Sequence, residues 1–134
     1  MNVLTPGELD QMNHVDDRDF VLVNVLPRED FLAKHIRTSV NVPLQAAGFV
    51  ERVEEIAGSK EREVVVYCAS VECDASTRAA HQLETAGFSR VYDLTGGTRD
   101  WFDYKGDRPS ETRNRSTQQQ GTQDDVNNDT MSYG

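Results

Sequence analysis

Apolar positions along the chain switch repeatedly between two periods. Phe20-Val-Leu-Val-Asn-Val25 is a nearly unbroken aliphatic run, and Val64-Val-Val66 is another, flanked by Glu63 and Tyr67. Runs without polar alternation read as strands buried on both faces, the kind found in parallel sheets. Ser39-Val-Asn-Val42, closed by Pro43, predicts a brief strand, and Arg90-Val-Tyr-Asp-Leu94 predicts a fourth. Between these runs the spacing lengthens to the helical period. Thr5-Pro-Gly-Glu8 has the form of a capping box with proline in the first turn, which predicts a short helix to about Asn13. A polar turn is expected from Asp16 to Asp19, and Arg28 to Lys34 predicts an amphipathic helical turn with Phe31 and Leu32 inward. From Leu44 to Ala57, residues Phe49, Val50, Val53, Ile56 and Ala57 recur at helical spacing ahead of Gly58, a natural stop. A further helical pattern runs from Ser76 to Ala86 before Gly87, and Gly96-Gly97 turns the chain into a last short helix containing Trp101 and Phe102.

Strands alternating with helices over short connections predict an α/β domain, with a mostly parallel central sheet and helices on both faces. The domain is expected to span residues 1–106. From Asp107 the chain is rich in Gln, Asn, Thr, Ser and Asp, so residues 107–134 are expected to form a disordered polar, acidic tail.

One cysteine changes the picture. Cys68 sits where the valine strand should end, and a short loop separates it from the helical pattern beginning at Ser76. Open α/β sheets place their active sites at this end of a strand. A helix dipole and inward loop amides would lower the thiol's pKa and stabilise a bound anion. A small buried hydrophobe is the plain alternative for a free cysteine, and position alone leaves both open.

Composition narrows the partners and the compartment. The chain has 134 residues, with 23 acidic against 14 basic groups and a net charge of −9. That balance argues against nucleic acid and anionic membrane surfaces as partners. The 2 cysteines, Cys68 and Cys73, fall in one loop and make no disulfide framework, which favours a reducing compartment. With no long apolar run or targeting pattern, a soluble, cytoplasmic protein is expected. None of the 3 histidines has a metal-ligand partner at suitable spacing: His14 and His81 read as surface residues and His35 as structural. Trp101 reads as an aromatic plug at the core edge, and Glu51-Arg-Val-Glu-Glu55 as a solvated helix face.

The segments LVNVLPREDFLAKHI, VNVP, VVVYC followed by STRAAHQLETAGF, and RVYDLTGGTRDW, in that order and spacing, resemble the single-domain rhodanese (thiosulfate sulfurtransferase-like) family from about Thr5 to Tyr104. The resemblance implies a small doubly wound domain in which Cys68 attacks a sulfane sulfur. It carries the sulfur as a persulfide and passes it to a thiophilic acceptor. The loop of Ala69, Ser70, Val71, Glu72, Cys73, Asp74 and Ala75 would bind the thiolate, persulfide and anionic leaving group through its amides. The expected partners are a small sulfur-containing donor or a partner protein's persulfide, and a thiol acceptor. The chemistry requires no metal, general base or organic cofactor. The resemblance also places His35 in a His-Ile pair beneath the sheet, and Gly96-Gly97 beside the active loop.

The departures from the family pattern bear on the donor. Aligning the helix start makes this loop two residues longer than the family's and puts Ala75 where its arginine usually lies. Arg78 is further along, a candidate anion partner on the helix's first turn. Glu72 and Asp74 would repel an anion and raise the pKa of Cys68. Asn24 and Leu26 replace the family's aspartate and arginine, so that charge pair is lost together and neither half is stranded. These features favour a less charged donor than thiosulfate, such as polysulfide or a protein persulfide. They disfavour the dianions taken by the related phosphatases and arsenate reductases. Two other classes stay open: a redox-active thiol protein in which Cys73 resolves an oxidised or persulfidated Cys68, and a catalytically silent rhodanese-like binding module.

Only Lys34, Lys60 and Lys105 are lysines, and the acidic, lysine-poor surface suits a high-salt cytoplasm as well as simple solubility. The first alternative predicts that Tm rises from low to molar salt, as screening over a Debye length of ~10 Å at 0.1 M relieves self-repulsion. A Tm unchanged across that range would return the surface to ordinary solubility.

Overall fold

The computed structural model describes residues 1–15 and 19–106. The expected tail over 107–134 lies outside them, as does most of the polar turn expected at 16–19. The elements run β1 (Asn2–Leu4), α1 (Pro6–Asn13), β2 (Phe20–Asn24), α2 (Arg28–Ala33), β3 (Val40–Asn41), α3 (Phe49–Ala57), β4 (Glu63–Tyr67), α4 (Ala75–Thr85), β5 (Val91–Leu94) and α5 (Gly97–Gly106). The five strands form one sheet in the order β1-β5-β4-β2-β3, and every described pair is parallel. The sheet lies within the compact unit Met1–Trp101. Among the described residues no helix is long and apolar enough to cross a membrane.

The valine run earns the central position. Val64, Val65 and Val66 are each fully buried, and β4 pairs with β2 on one side and β5 on the other. Val64, Val66 and Cys68 belong to a core shared with Phe49 and Val53 of α3 and with Ala79, Ala80 and Leu83 of α4. Val65 and Tyr67 alternate to the opposite face, and both are fully buried there. Burying one such aliphatic side chain contributes about 1.5–3 kcal/mol. After β2 the chain moves outward to β3, and after β4 it moves the other way to β5. The crevice between β2 and β4 is therefore the switch point of the sheet, where ligands gather in open α/β folds.

The capping box forms as expected: the Thr5 side chain accepts from the Glu8 amide at 3.1 Å, and Glu8 accepts from the Thr5 amide at 2.8 Å. Several expectations need correction. β1 was not anticipated, because a three-residue edge segment has too little pattern to register and exists through its pairing with β5. α3 starts at Phe49 rather than Leu44. The Leu44 amide is bonded to the Val25 carbonyl at 3.0 Å and the Ala46 amide to the Pro43 carbonyl at 3.1 Å, so that stretch is a series of turns, and Gly48 adopts φ +75° just before the helix. Leu32 does not turn inward; it is 62% exposed. α2 is only six residues long and buries none of them, and Phe31 stacks on His35 with ring centroids 4.0 Å apart. Of the His-Ile pair, Ile36 is the buried member, whereas His35 is half-buried and bonds locally to the Phe31 carbonyl at 2.8 Å.

The face opposite α3 and α4 is organised by the Tyr67 hydroxyl. It accepts from the Ile36 amide at 2.9 Å and shares a hydrogen bond with Ser39 Oγ at 2.8 Å, fixing the chain between α2 and β3. Beside it, Asn24 Oδ1 accepts from the Leu26 amide at 2.9 Å, and Asn41 Nδ2 donates to the Leu26 carbonyl at 2.9 Å. A neutral amide network thus stands where the family pattern has a charge pair, as the loss of both charged residues implied. Tyr67→Phe leaves the Ile36 amide buried without its partner, so it should lower stability by about 1–3 kcal/mol in denaturant unfolding. An unchanged midpoint would show that another group satisfies that amide.

Candidate active site

β4 delivers Cys68 to the switch point, and the chain then loses its ladder partners. The first loop carbonyls are taken up by the first turn of α5. The Cys68 carbonyl accepts from the Thr98 amide at 2.9 Å and from Thr98 Oγ1 at 3.1 Å, and the Ala69 carbonyl accepts from the Arg99 amide at 2.9 Å. This contact requires glycine at position 97. Gly97 has φ +60°, and a Cβ there would collide with the Cys68 carbonyl and lie 2.8 Å from the Ala69 carbonyl carbon. The Gly96-Gly97 signal therefore marks a close backbone approach as well as a turn, and Thr98 and Arg99, which follow it, were not singled out from the sequence.

The loop proper is Ala69–Asp74, with Ala75 already the first residue of α4. It folds back through a bond from the Cys73 amide to the Ser70 carbonyl at 3.0 Å. That turn brings residue 73 over Cys68, whose Sγ donates to the Cys73 carbonyl at 3.3 Å and lies 3.5 Å from Ser76 Oγ. Cys68 and Ser76 are fully buried, and Cys73 is half-buried against the same core. The α4 end is secured by Thr77 Oγ1, which donates to Asp93 Oδ2 of β5 at 2.7 Å.

The expectation that loop amides lower the Cys68 pKa is corrected. Burial pushes this thiol up, and its contact with Cys73 adds to that; the hydroxyl and amide of Ser76 work in the other direction without prevailing. The amides of Ala75 and Ala69 instead favour the Cys73 thiolate. Desolvation also raises Cys73, but its hydrogen bonds with Cys68 and those two amides outweigh it, so Cys73 sits below the usual cysteine range. Within the pair, burial disfavours the Cys68 thiolate, and hydrogen bonds favour that of Cys73.

The loop carboxylates are not bare. Glu72 Oε1 accepts from Ser70 Oγ at 2.9 Å and lies 3.9 Å from Arg99 Nη1; the Ser70 bond first, then its own amide and the Arg99 charge, hold its carboxyl below the usual range. Arg78, the candidate anion partner, pairs with Asp74 across the first turn of α4 at 3.4 Å. Each loop acid thus has an arginine, so the negative charge of the loop is partly compensated. All four side chains are largely exposed, so these pairs are screened and exchangeable. Among the described residues no group of three or more His, Cys, Asp and Glu side chains is placed to hold a metal ion.

Comparison with known proteins agrees with this architecture. The sequence model described as the rhodanese-like domain matches residues 5–104. The chain is 31% identical over 83 residues to the HTH-type transcriptional regulator Rv0324 of Mycobacterium tuberculosis, covering 62% of this chain and 34% of that protein. It is 30% identical over 102 residues to the uncharacterized protein YibN of Escherichia coli K12, covering 75% of this chain and 67% of that one. The chain thus spans about a third of one of these relatives and two thirds of the other. Among solved structures, the BH2092 protein of Bacillus halodurans superposes with a TM-score of 0.68 at 25% identity, over 78% of this chain and 73% of that one. A rhodanese with anions from Escherichia coli gives 0.53 at 26% identity, over 61% and 91%. A thiosulfate sulfurtransferase of Pseudomonas aeruginosa gives 0.68 at 24% identity, over 78% of this chain and 19% of that one, and so shares the fold. With the matched region running from the α1 cap through α5, and Cys68 at the switch point of a parallel sheet, the chain belongs to the rhodanese-like domain family.

Proposed function

We propose that this protein is a sulfurtransferase or sulfur carrier, passing a sulfane sulfur through a persulfide on Cys68 to a thiol acceptor. The observation that carries the reading is the position of Cys68: at the C-terminal end of the central strand, its carbonyl clamped by Thr98, its sulfur beside the first turn of α4. In the first half-reaction the Cys68 thiolate attacks the outer sulfur of a donor RS–SH. The donor's S–S bond breaks, a Cys68 persulfide forms, and RS⁻ leaves and takes up the proton that Cys68 lost. In the second half-reaction an acceptor thiolate attacks the outer sulfur of the persulfide and regenerates the Cys68 thiolate. The Ser76 hydroxyl and amide favour the anionic sulfur at each stage.

The donor is proposed to be a polysulfide, a small persulfide or a partner protein's persulfide, since Glu72 and Asp74 still stand at the mouth of the loop. A dianion such as thiosulfate must displace them from Arg99 and Arg78 before it can use those charges. A soluble, cytoplasmic setting in which thiol acceptors stay reduced is part of the same proposal.

Cys68→Ser should abolish transfer to cyanide or a dithiol and leave the circular dichroism spectrum unchanged, whereas full activity in that variant would remove the sulfurtransferase reading. Because the Cys68 thiol is pushed up, its loading rate should climb with pH and reach no plateau below the ordinary thiol pKa of about 8.5. A plateau near neutral pH would mean that Cys68 is already ionised. For the donor, kcat/KM should be poor with thiosulfate and better with a persulfide. The double change Glu72→Gln, Asp74→Asn should raise the thiosulfate value about ten-fold at low salt by freeing both arginines. Efficient thiosulfate turnover that neutralisation leaves unaltered would show that the carboxylates do not oppose the donor.

A further inference from the structure

The loop holds a second nucleophile that the transfer cycle above does not use. Cys68 is fully buried beneath the fold-back of its own loop, and its sulfur lies 3.3 Å from the Cys73 carbonyl oxygen. The turn closed by the Cys73 amide on the Ser70 carbonyl places the Cys73 side chain at the outer side of this arrangement, half-buried and in contact with the Cys68 sulfur. An external acceptor must open the loop to reach Cys68, whereas Cys73 is already there.

We propose that Cys73 is a resolving thiol, which attacks Cys68 Sγ once that sulfur carries a persulfide, closes a Cys68–Cys73 disulfide and expels hydrosulfide. The inference rests on the persulfide reading of Cys68 and deepens it by naming the fate of a sulfur that no acceptor has taken. The atoms balance. The Cys73 thiolate and Cys68–S–SH give Cys68–S–S–Cys73 and HS⁻; one S–S bond breaks as another forms. The Cys73 sulfur is oxidised and the outer persulfide sulfur is reduced, so no other oxidant enters. An external dithiol then returns the loop to its reduced form by thiol–disulfide exchange.

Three features of the loop favour this direction. The amides of Ala69 and Ala75 face the Cys73 sulfur and supply the thiolate that must attack. Cys68, whose sulfur must be attacked, cannot drift away, because Thr98 and Arg99 hold its carbonyl and that of Ala69. The attacking residue lies on the six-residue loop Ala69–Asp74, between the end of β4 and the start of α4 and outside both elements. The same pairing serves oxidation: a Cys68 sulfenic acid and the Cys73 thiol give the same disulfide and water.

The test is intact-protein mass spectrometry of the full chain under non-reducing conditions, after reduction, brief exposure to inorganic polysulfide and desalting. The wild type should pass from a form one sulfur heavier to one two hydrogens lighter than the reduced chain, with release of hydrosulfide. Cys73→Ser, and Cys73→Ala as a second variant, should keep the added sulfur at least about ten-fold longer. Equal persulfide lifetimes in wild type and both variants would overturn the resolving role and leave the transfer reading intact, as would a persulfide found by peptide mapping on Cys73 in place of a disulfide. If neither the wild type nor the variants gain sulfur, the transfer reading fails and takes this step with it. A parallel sample treated with peroxide then shows whether the pair closes by the oxidative route alone.

Discussion

The carbonyl of Cys68 is bound by two donors from a turn that has no room for a side chain, and the geometry of the site follows from that contact. A chain leaving the centre of a parallel sheet must find new partners for its backbone groups, because an unpaired buried carbonyl is costly. Thr98 supplies an amide and a hydroxyl, Arg99 supplies a second amide one residue on, and Gly97 lets the two backbones approach. The loop therefore leaves β4 in a fixed direction, and β5 is coupled to the site without contributing a group to the reacting sulfur. The Thr77–Asp93 bond ties α4 to the same strand, so both ends of the loop refer to one support.

Within that frame, burial and hydrogen bonding divide the two thiols between different states. Cys68 lies deep and donates to a carbonyl, an arrangement that suits a neutral thiol and has to be relaxed for it to ionise. Cys73 lies nearer the solvent and collects the amides that the loop presents. The loop thus favours the neutral form of the buried thiol and the anionic form of the one nearer the solvent. The carboxylates follow a similar division. Held by Ser70, Arg99 and Arg78, they stand as exchangeable counter-ions at the mouth, and they do not form an unrelieved negative field.

Replacing a charged pair with neutral groups has a structural counterpart on β2. Asn24 is fully buried and accepts from the Leu26 amide, and Asn41 reaches the carbonyl of the same residue. Two amides thereby brace the chain leaving β2 without the desolvation that a buried ion pair demands. Tyr67 does the equivalent work one strand over, through Ile36 and Ser39.

Much of this was legible in the order of residues. The valine run named the central strand, the Thr5–Glu8 pair named a helix start, Gly58 and Gly87 marked helix ends, and Cys68 before a helical pattern pointed to the candidate site. Such features are decided by neighbours close in the chain, through periodicity, capping and backbone freedom. What the sequence left undecided depends on residues far apart in it. β1 exists because β5 is there to pair with it, Phe31 stacks on His35 while Leu32 is left exposed, and Leu44 bonds back to Val25, just past β2, ahead of a shortened α3. Arg99 meets Glu72 only when α5 is brought to the loop. The opposite directions in which the Cys68 and Cys73 thiols are shifted were likewise beyond reach. A thiol's ionisation is set by depth and by which amides face it, and the loop's fold-back on itself and on Thr98 determines both.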